Sequence, residues 1–378
     1  MENVFTNQQV LYALAEGTGG FVIVNTNDFK KGLDKIAADM DDYYILGYVP
    51  LNAAHDGSYH KIKVKVDRHG VEIRARNGYF DVKSPDLLAG KPEGKVLEDH
   101  AADSAPSDYP VSVAAPYFYT SPGVARVNLA IQMPSRDIAF DKKKGKFHAE
   151  INVLGIAYRP DGSVAARFSD TVKNDLEKKQ MKEVLNVPFV YQNNFDIAPG
   201  KYNLKIVMGA GGEKFGKFEK QLSIGEFTGD QFDISDVAFS REMRPASQLL
   251  ASLDAQLLEE RTPLMFKGME VIPAAGRNFT RKEQIALYCE IYEPARIVNG
   301  NPRVGIIVDI FDPKTNQRVF TTNTILVTQD AIEGSPVIPV AVRLPDETLQ
   351  PGNYRLEVHA LDSRGRKSAT RTKEFAIE

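Results

Sequence analysis

The sequence has little cysteine, histidine and tryptophan. It contains one cysteine (Cys289), six scattered histidines and no tryptophan in 378 residues. One thiol cannot close an internal disulfide and has no second thiol with which to form a redox pair. No two histidines form a His-x-x-x-His or His-Glu-x-x-His motif, so the sequence does not predict a zinc enzyme.

The sequence also lacks an excess of charge of either sign and a long apolar run. Its 50 acidic and 47 basic residues give a net charge of −3, which argues against a nucleic-acid interface or a polybasic membrane surface. No stretch approaches the roughly 18 apolar residues of a spanning helix. The first residues, MENVFTNQQV, lack the pattern of a signal peptide. We therefore expect no nucleic-acid partner and no membrane span.

Residues 1–82 have the pattern of an α/β lobe. The continuous apolar run Phe21–Val24 predicts a strand that is buried on both faces. A helix is predicted next, then a strand at Tyr43–Tyr48, which completes a right-handed βαβ unit. From His60 to Asp67 apolar residues alternate with lysines, which predicts a half-buried strand with a solvated face. The predicted inward stripe of the helix comprises Phe29, Leu33, Ile36, Ala37 and Met40.

Four motifs occur in order between residues 7 and 80. They are Leu-Ala-Glu-Gly-Thr-Gly-Gly at 14–20, Asn-Thr-Asn-Asp at 25–28, Tyr-Tyr-Ile-Leu-Gly-Tyr at 43–48, and Arg-Asn-Gly-Tyr at 76–79. This succession resembles the C-terminal half of the von Willebrand factor A-related (VWA-like) domain of acidobacterial proteins. The resemblance implies a doubly wound sheet, of which this chain would contain a truncated part. Its relatives are generally exported, so the resemblance suggests a periplasmic or extracellular location.

The metal site that the resemblance implies has no counterpart in this sequence. In the family, Asp-x-Ser-x-Ser after the first strand holds a magnesium-type ion with hard oxygen ligands. The nearest match begins at Asp233 and Ser235, but Asp236 and Val237 follow and the second serine is absent. We therefore assign no metal ligand, no cofactor-binding residue and no catalytic residue.

The remainder of the chain is rich in strand patterns. Residues 83–108 predict a linker, whereas 109–227 and 265–378 each contain seven short strand candidates separated by turns. Residues 228–264 predict a helical linker because leucines in Pro245–Glu260 have helical spacing. The expected fold class is multi-domain α/β plus all-β: a truncated VWA-like lobe followed by two immunoglobulin-like β-sandwiches.

The two predicted sandwiches share a motif, which indicates an internal duplication. Pro199-Gly-Lys-Tyr202 recurs 152 residues later as Pro351-Gly-Asn-Tyr354. Pro-Gly makes a tight turn, and a tyrosine at the start of the next strand is typical of a tyrosine corner. Tyr202 and Tyr354 are therefore predicted to be structural rather than ligand contacts.

Few residues suggest chemistry. Cys289 shares one face of an alternating run with three aliphatic residues, which predicts a buried core thiol. Asp39, Asp41 and Asp42 form a small acidic cluster without the glycine-turned loop of a calcium site. A pair of distant carboxylates for glycoside hydrolysis stays open, since such partners need not be close in sequence.

Three functional hypotheses follow. The leading one is a non-catalytic binding or scaffold protein of the VWA-related type, with a protein partner and no cofactor. The second is an incomplete gene product of a larger exported VWA protein. The third is a hydrolase of an extracytoplasmic polymer that uses two carboxylates.

Overall fold

The computed structural model describes residues 15, 20–24, 28–41, 59–68, 73, 75, 78–80, 86–143, 145–245, 264–298, 302–330, 335–345 and 348–378. The chain divides into two compact units, Met1–Lys83 and Ser84–Glu378.

The first unit contains one long helix and a short antiparallel strand pair. Helix α1 spans Phe29–Asp41 and confirms the predicted helix. Its first turn is capped because the backbone N–H of Lys31 donates to Oδ1 of Asp28 at 3.0 Å. Strands β1 (Tyr59–Lys61) and β2 (Gly78–Phe80) pair antiparallel.

Two predictions for this unit are wrong. Phe21–Val24 is not a strand, and Ile23 is 40% exposed. No described strand pairs with this run, and a strand requires a hydrogen-bonded neighbour. Three residues of the stripe predicted to face inward on α1 are open to solvent, since Phe29 is 80%, Leu33 is 65% and Ile36 is 41% exposed; the Met40 side chain lies outside what the structure describes. A helical stripe is buried only where another element covers it.

The doubly wound parallel sheet is not found among the described residues of the first unit, whose described strands form one antiparallel pair. The predicted strand Tyr43–Tyr48 lies outside the described residues. The half-buried strand predicted over His60–Asp67 is found only in part: Ile62 and Val64 are half-buried between exposed lysines, but Val66 is 49% exposed. Only Tyr59–Lys61 of this segment belongs to a ladder.

The second unit is mostly β and begins with helix α2 (Pro92–Ala102). The first sandwich has one sheet of four strands and one of five. Its elements are β3 (Ser112–Ala114), β4 (Tyr117–Ser121), β5 (Val124–Met133), β6 (Asp141–Lys143), β7 (Lys146–Tyr158), β8 (Val164–Leu176), α3 (Lys178–Val184), β9 (Phe189–Ile197), β10 (Gly200–Gly209) and β11 (Phe215–Ile224). One sheet has the order β3-β5-β4 with β9 on β5. The other has the order β11-β10-β7-β6 with β8 on β7.

The second sandwich has two sheets of six strands. Its elements are β12 (Asp233–Ile234), β13 (Ala238–Pro245), β14 (Leu264–Phe266), β15 (Met269–Pro273), β16 (Asn278–Phe279), β17 (Ala286–Tyr292), α4 (Ala295–Val298), β18 (Val304–Phe311), β19 (Arg318–Thr321), β20 (Ile325–Leu326), β21 (Val337–Arg343), β22 (Gly352–Asp362) and β23 (Arg371–Ile377). One sheet is β12-β17-β13-β15-β14 with β21 on β17. The other is β16-β23-β22-β18-β19 with β20 on β18.

Each sandwich encloses its own apolar core, so the prediction of two β-sandwiches is confirmed. Leu129, Ile151 and Ile206 lie in the first core, and Leu287 and Val308 lie in the second. Alternate residues of each strand point inward, which is why the period-2 pattern was readable from the sequence.

Three segments differ from their predicted structure. Within 228–264, strands β12 and β13 pair with β17 and belong to the second sandwich. Residues 246–263 contain most of the predicted helix and lie outside the described residues. Within 83–108, where a linker with a helical turn around 94–102 is predicted, the turn is the full helix α2, and it packs on the first sandwich. Glu183–Tyr191, one of the seven strand candidates of 109–227, is divided between α3 and β9, because a capping box of Glu177 and Gln180 starts a helix there.

The two sandwiches meet through aromatic residues. The backbone N–H of Tyr119 on β4 donates to Oη of Tyr292 on β17 at 2.7 Å. Phe227 stacks on Tyr119 with ring centroids 4.6 Å apart and lies 4.8 Å from the Tyr292 ring. Phe118 packs against Tyr288 at 5.5 Å. These contacts make the junction part of the packed interior of the second unit.

Candidate binding groove

A groove of about 590 Å³ lies on the outer face of the first sandwich, beside the C-terminal end of α2. This volume is within the range of small-molecule sites. The groove is lined by Ala101, Ala102, Tyr158, Arg159, Pro160, Gly162, Lys201, Tyr202, Asn203, Lys205 and Gln221.

Three neighbouring strands supply the floor. Asn203 of β10 is paired with Tyr158 of β7 on one side and with Gln221 of β11 on the other. These three side chains therefore form one transverse row across the sheet. Lys201 and Lys205 are two residues on either side of Asn203, so they share its face, whereas the alternate residues of β10 point into the core.

Helix α2 forms one wall because it covers only part of the sheet. Leu97 and Ala101 pack on Leu154 and Val207 of the outer sheet face, and Pro92 is at the first turn, where proline is tolerated. The helix ends at Ala102. There Nζ of Lys205 donates to the Ala101 carbonyl oxygen at 3.0 Å and satisfies a free C-terminal acceptor.

The turn between β7 and β8 forms the other wall. The backbone N–H of Arg159 donates to the Ser163 carbonyl at 2.8 Å, and Gly162 has φ +83°, a left-handed conformation that favours glycine. Nη1 of Arg159 donates to the Val164 carbonyl at 3.0 Å. Hydrogen bonds from Ser163 lower the pKa of Asp161. The turn is thus held by its own hydrogen bonds, with the guanidinium at the groove.

The electrostatic character of the groove is cationic. Its lining contains Arg159, Lys201 and Lys205 and no aspartate or glutamate. Nζ of Lys205 lies 3.8 Å from Oε2 of Glu219. No described carboxylate lies within ion-pair distance of Arg159 or Lys201. Nδ2 of Asn203 donates to Glu219, and its buried Oδ1 has no hydrogen-bond partner among the described residues. Cations, amides and a half-buried tyrosine can bind an anion that also carries hydroxyl groups.

The tyrosines singled out in the sequence have the predicted structural role. Oη of Tyr202 donates to the Ala198 carbonyl at 2.8 Å, and Oη of Tyr354 donates to the Gln350 carbonyl at 2.7 Å. Both bonds reach back four residues across the Pro-Gly turn. Burial raises the pKa of Tyr202, so its hydroxyl remains a donor, although the residue also borders the groove.

The other residues of interest are not brought together. Cys289 is completely buried in the second core, and burial raises the pKa of its thiol, which confirms the predicted core role. The side chains of Asp39, Asp41 and Asp42 lie outside what the structure describes. Within the described residues there is no group of three or more His, Cys, Asp and Glu side chains suited to hold a metal ion.

Sequence reasoning missed the groove. The only local signal was the alternation of Lys201, Asn203 and Lys205 with apolar residues on β10, which indicates a polar face without saying what lies beside it. Strand pairing places Tyr158 and Gln221 beside Asn203, and the sequence does not show this pairing. As for membrane crossing, the helices in the described part of the chain are too short or too polar to span a bilayer.

Comparison with known proteins finds similarity at the level of solved structures only. The chain matches no protein-family profile and no curated protein. It is similar to a two-domain fibronectin type III segment of chicken tenascin, with 8% identity over 70% of this chain and 99% of that one, at a TM-score of 0.17. It is also similar to the fibronectin(III)-like modules of Clostridium thermocellum CbhA, with 12% identity over 71% and 94% of the two chains, at a TM-score of 0.17.

A third similar structure is the BSP domain of a biofilm-associated protein. Its identity is 9%, it covers 75% of this chain and 69% of that one, and its TM-score is 0.19. Scores and identities this low carry no argument about fold or function. The assignment of two β-sandwiches therefore rests on the strand order and cores described above.

Proposed function

We propose that the chain is a non-catalytic binding or scaffold protein, and that the groove beside α2 is its ligand site. The supporting observation is the lining of the groove: three cations, two amides and two tyrosines, with no carboxylate. Glycoside hydrolysis generally uses two carboxyl groups about 5 to 10 Å apart across the scissile bond. The hydrolase alternative has no such pair in this groove.

The experiment is an NMR titration of the isotope-labelled chain with citrate, a small trianion. We expect shifts of the backbone amides of Lys201, Asn203 and Gln221, and their loss in Lys201→Glu. Lys142→Glu is the matched control, because Lys142 is equally exposed on β6, at the other end of β7. Shifts spread evenly over exposed lysines, or unchanged in Lys201→Glu, would contradict a ligand site in the groove.

The hydrolase alternative is tested separately with polygalacturonate and neutral glycans as substrates. We expect no release of reducing ends by the purified chain. Turnover that one Asp→Asn or Glu→Gln substitution abolishes would replace the binding proposal with the hydrolase.

We further infer a protein contact at β9. Among the described strands this strand pairs with β5 alone, and Leu185, Val187 and Val190 near its start are exposed. An exposed strand edge with apolar neighbours can accept a strand from a partner. Quantitative capture from the source cells should be weakened by Val190→Glu and unchanged by Val96→Glu, an equally exposed valine on α2.

Two further proposals concern the family of the first unit and the duplication of the sandwiches. We propose that residues 1–82 are part of a VWA-related lobe and that the sandwiches are duplicated copies; the two matching tyrosine corners support the second point. The alternative of an incomplete gene product predicts a native intact mass larger than 41.9 kDa by about a domain. A native mass of 41.9 kDa would exclude it.

A further inference from the structure

We propose that the groove binds an acidic saccharide, specifically an oligomer of uronate residues. This inference rests on the proposed function, since it names the ligand class of the same groove. It joins two observations: three cations, of which Lys205 also lies 3.8 Å from Glu219, and a transverse row of one aromatic and two amide side chains.

The cations select for carboxylate groups at more than one position. Lys201 and Lys205 are four residues apart on one strand, a distance of about 13 Å at 3.3 Å per residue, and Arg159 lies on the adjoining turn. This span exceeds a single sugar ring. A ligand with one carboxylate on each ring can therefore meet these cations in succession, as a short oligomer.

The transverse row of Tyr158, Asn203 and Gln221 can contact the hydroxyl groups and the ring of a sugar. The Asn203 and Gln221 amides carry both donors and acceptors, as sugar hydroxyls do. Tyr158 is half-buried and packs on the α2 cluster, and an aromatic ring offers a surface to the apolar C–H face of a sugar. A polar anion without an apolar face, such as citrate, would not use the tyrosine.

The floor of the groove does not exclude an extended peptide by its backbone. Strand β10 pairs with β11 over Gly200–Gly209 but with β7 only over Asn203–Gly209, and β11 is the outer strand of its sheet. An extended peptide gains affinity mainly by adding its backbone to an open strand edge. The choice of a saccharide therefore depends on the side chains of the groove, and an acidic peptide is included in the experiment as the competing ligand class.

The experiment is calorimetric titration of the full chain with trigalacturonic acid, galactotriose and triglutamate. We expect trigalacturonate to bind at least ten-fold more tightly than galactotriose, because only the acid meets the cations, and more weakly as salt is added. Lys201→Glu should weaken its binding at least ten-fold, and Gln221→Ala by a few-fold. Lys142→Glu should bind like the wild type. Far-ultraviolet circular dichroism and thermal melting check that the variants fold.

The outcomes separate the two proposals. If citrate shifts the groove amides but trigalacturonate binds no better than triglutamate, the saccharide is wrong and the anion-binding groove stands. If trigalacturonate binds equally to the wild type and Lys201→Glu, the groove is not its site. If neither citrate nor trigalacturonate binds in the groove, both the proposed ligand site and the proposed saccharide ligand are wrong.

Discussion

Three buried tyrosine hydroxyls in the two sandwiches each donate to a specific backbone carbonyl. Tyr202 and Tyr354 bond carbonyl groups of the turn that precedes them. The Tyr109 hydroxyl donates to the Met208 carbonyl at 2.6 Å, and burial raises the pKa of Tyr109 to about 12. A buried carbonyl without a donor is costly, so these single contacts contribute to the stability of the turns and strand ends.

The corner tyrosines give a direct prediction. Tyr202→Phe and Tyr354→Phe should each lower the free energy of unfolding by about 1 kcal/mol, the usual net value of one hydrogen bond. Urea denaturation measures this difference. The matched control is Tyr158→Phe, because no hydrogen bond of that hydroxyl lies within the described residues. Equal effects in all three variants would contradict the corner role.

Glu290 is the residue whose ionisation should govern the pH dependence of the junction. Its carboxylate accepts hydrogen bonds from Tyr292 at 2.9 Å and from Tyr288 at 3.2 Å. Removal from water raises the pKa of Glu290, and the tyrosine hydrogen bonds and the charge of Arg126 oppose this only in part. The charged form is therefore disfavoured in the folded chain.

A raised carboxyl pKa has a defined sign for stability. The stabilisation that protonated Glu290 gives to the folded chain is complete below the pKa of the unfolded chain, which is near 4.5. This stabilisation is lost as pH rises through the pKa of the folded chain. Glu290→Gln should therefore show a smaller fall in the free energy of unfolding above pH 4.5 than the wild type. Chemical denaturation across a pH series measures it, with the exposed Glu213→Gln as control. A fall as steep in Glu290→Gln as in the wild type would refute the assignment.

At the scale of elements, an ion cluster joins the segment after β17 to the turn after β22. Arg366 Nη2 donates to both carboxylate oxygens of Glu293, at 2.7 and 2.6 Å, and its Nε donates to Asp362 at 2.8 Å. The Glu293 side chain has no exposed area. The guanidinium also lies over the Phe232 ring at 5.2 Å, so three segments of the second sandwich meet at one cation.

Removal of that cation should be strongly destabilising. Arg366→Ala leaves the buried Glu293 charge unpaired, for which we expect a loss of about 3 kcal/mol in the free energy of unfolding. Arg277→Ala is the control, because its ion pair with Glu374 is 68% exposed on both sides, and exposed pairs contribute below about 1 kcal/mol. The double variant Glu293→Gln, Arg366→Ala should recover part of the loss. Urea denaturation of all three variants tests this.

At the scale of the whole molecule, the aromatic junction links the two sandwiches within the second unit. Tyr292 belongs to β17 of the second sandwich, yet its ring packs in the first core and its oxygen accepts from the Tyr119 backbone. Burial and the neighbouring Glu290 carboxylate raise its pKa, so the hydroxyl stays protonated. One side chain thus contributes to the packing of both sandwiches.

Loss of this side chain should uncouple the sandwiches. We expect Tyr292→Ala to broaden or divide the calorimetric unfolding transition of the second unit and to speed hydrogen exchange of the Tyr119 amide. Tyr158→Ala, which changes a half-buried tyrosine on the outer face of the first sandwich and outside the aromatic cluster of the junction, serves as comparison. An unchanged transition with unchanged exchange at Tyr119 would mean that the junction carries no coupling.

Local patterns in the sequence determined much of the second unit. Alternation along the strands predicted both sandwiches, the Pro-Gly-x-Tyr motif predicted both tyrosine corners, and the aliphatic neighbours of Cys289 predicted a buried thiol. Each of these depends on residues within one strand or one turn, where backbone periodicity fixes which side chains point inward. The helix at Phe29–Asp41 was predictable for the same reason.

Tertiary structure alone decided which elements meet. Phe21–Val24 is apolar, but it forms no ladder because no described strand pairs with it, and Phe29 and Leu33 of α1 are exposed although they belong to an apolar stripe, because no described element of the first unit buries them. The groove exists because strand register aligns Tyr158, Asn203 and Gln221 while α2 stops short of that row. Pairing and coverage join residues far apart in the chain, so composition and spacing contain no local record of them.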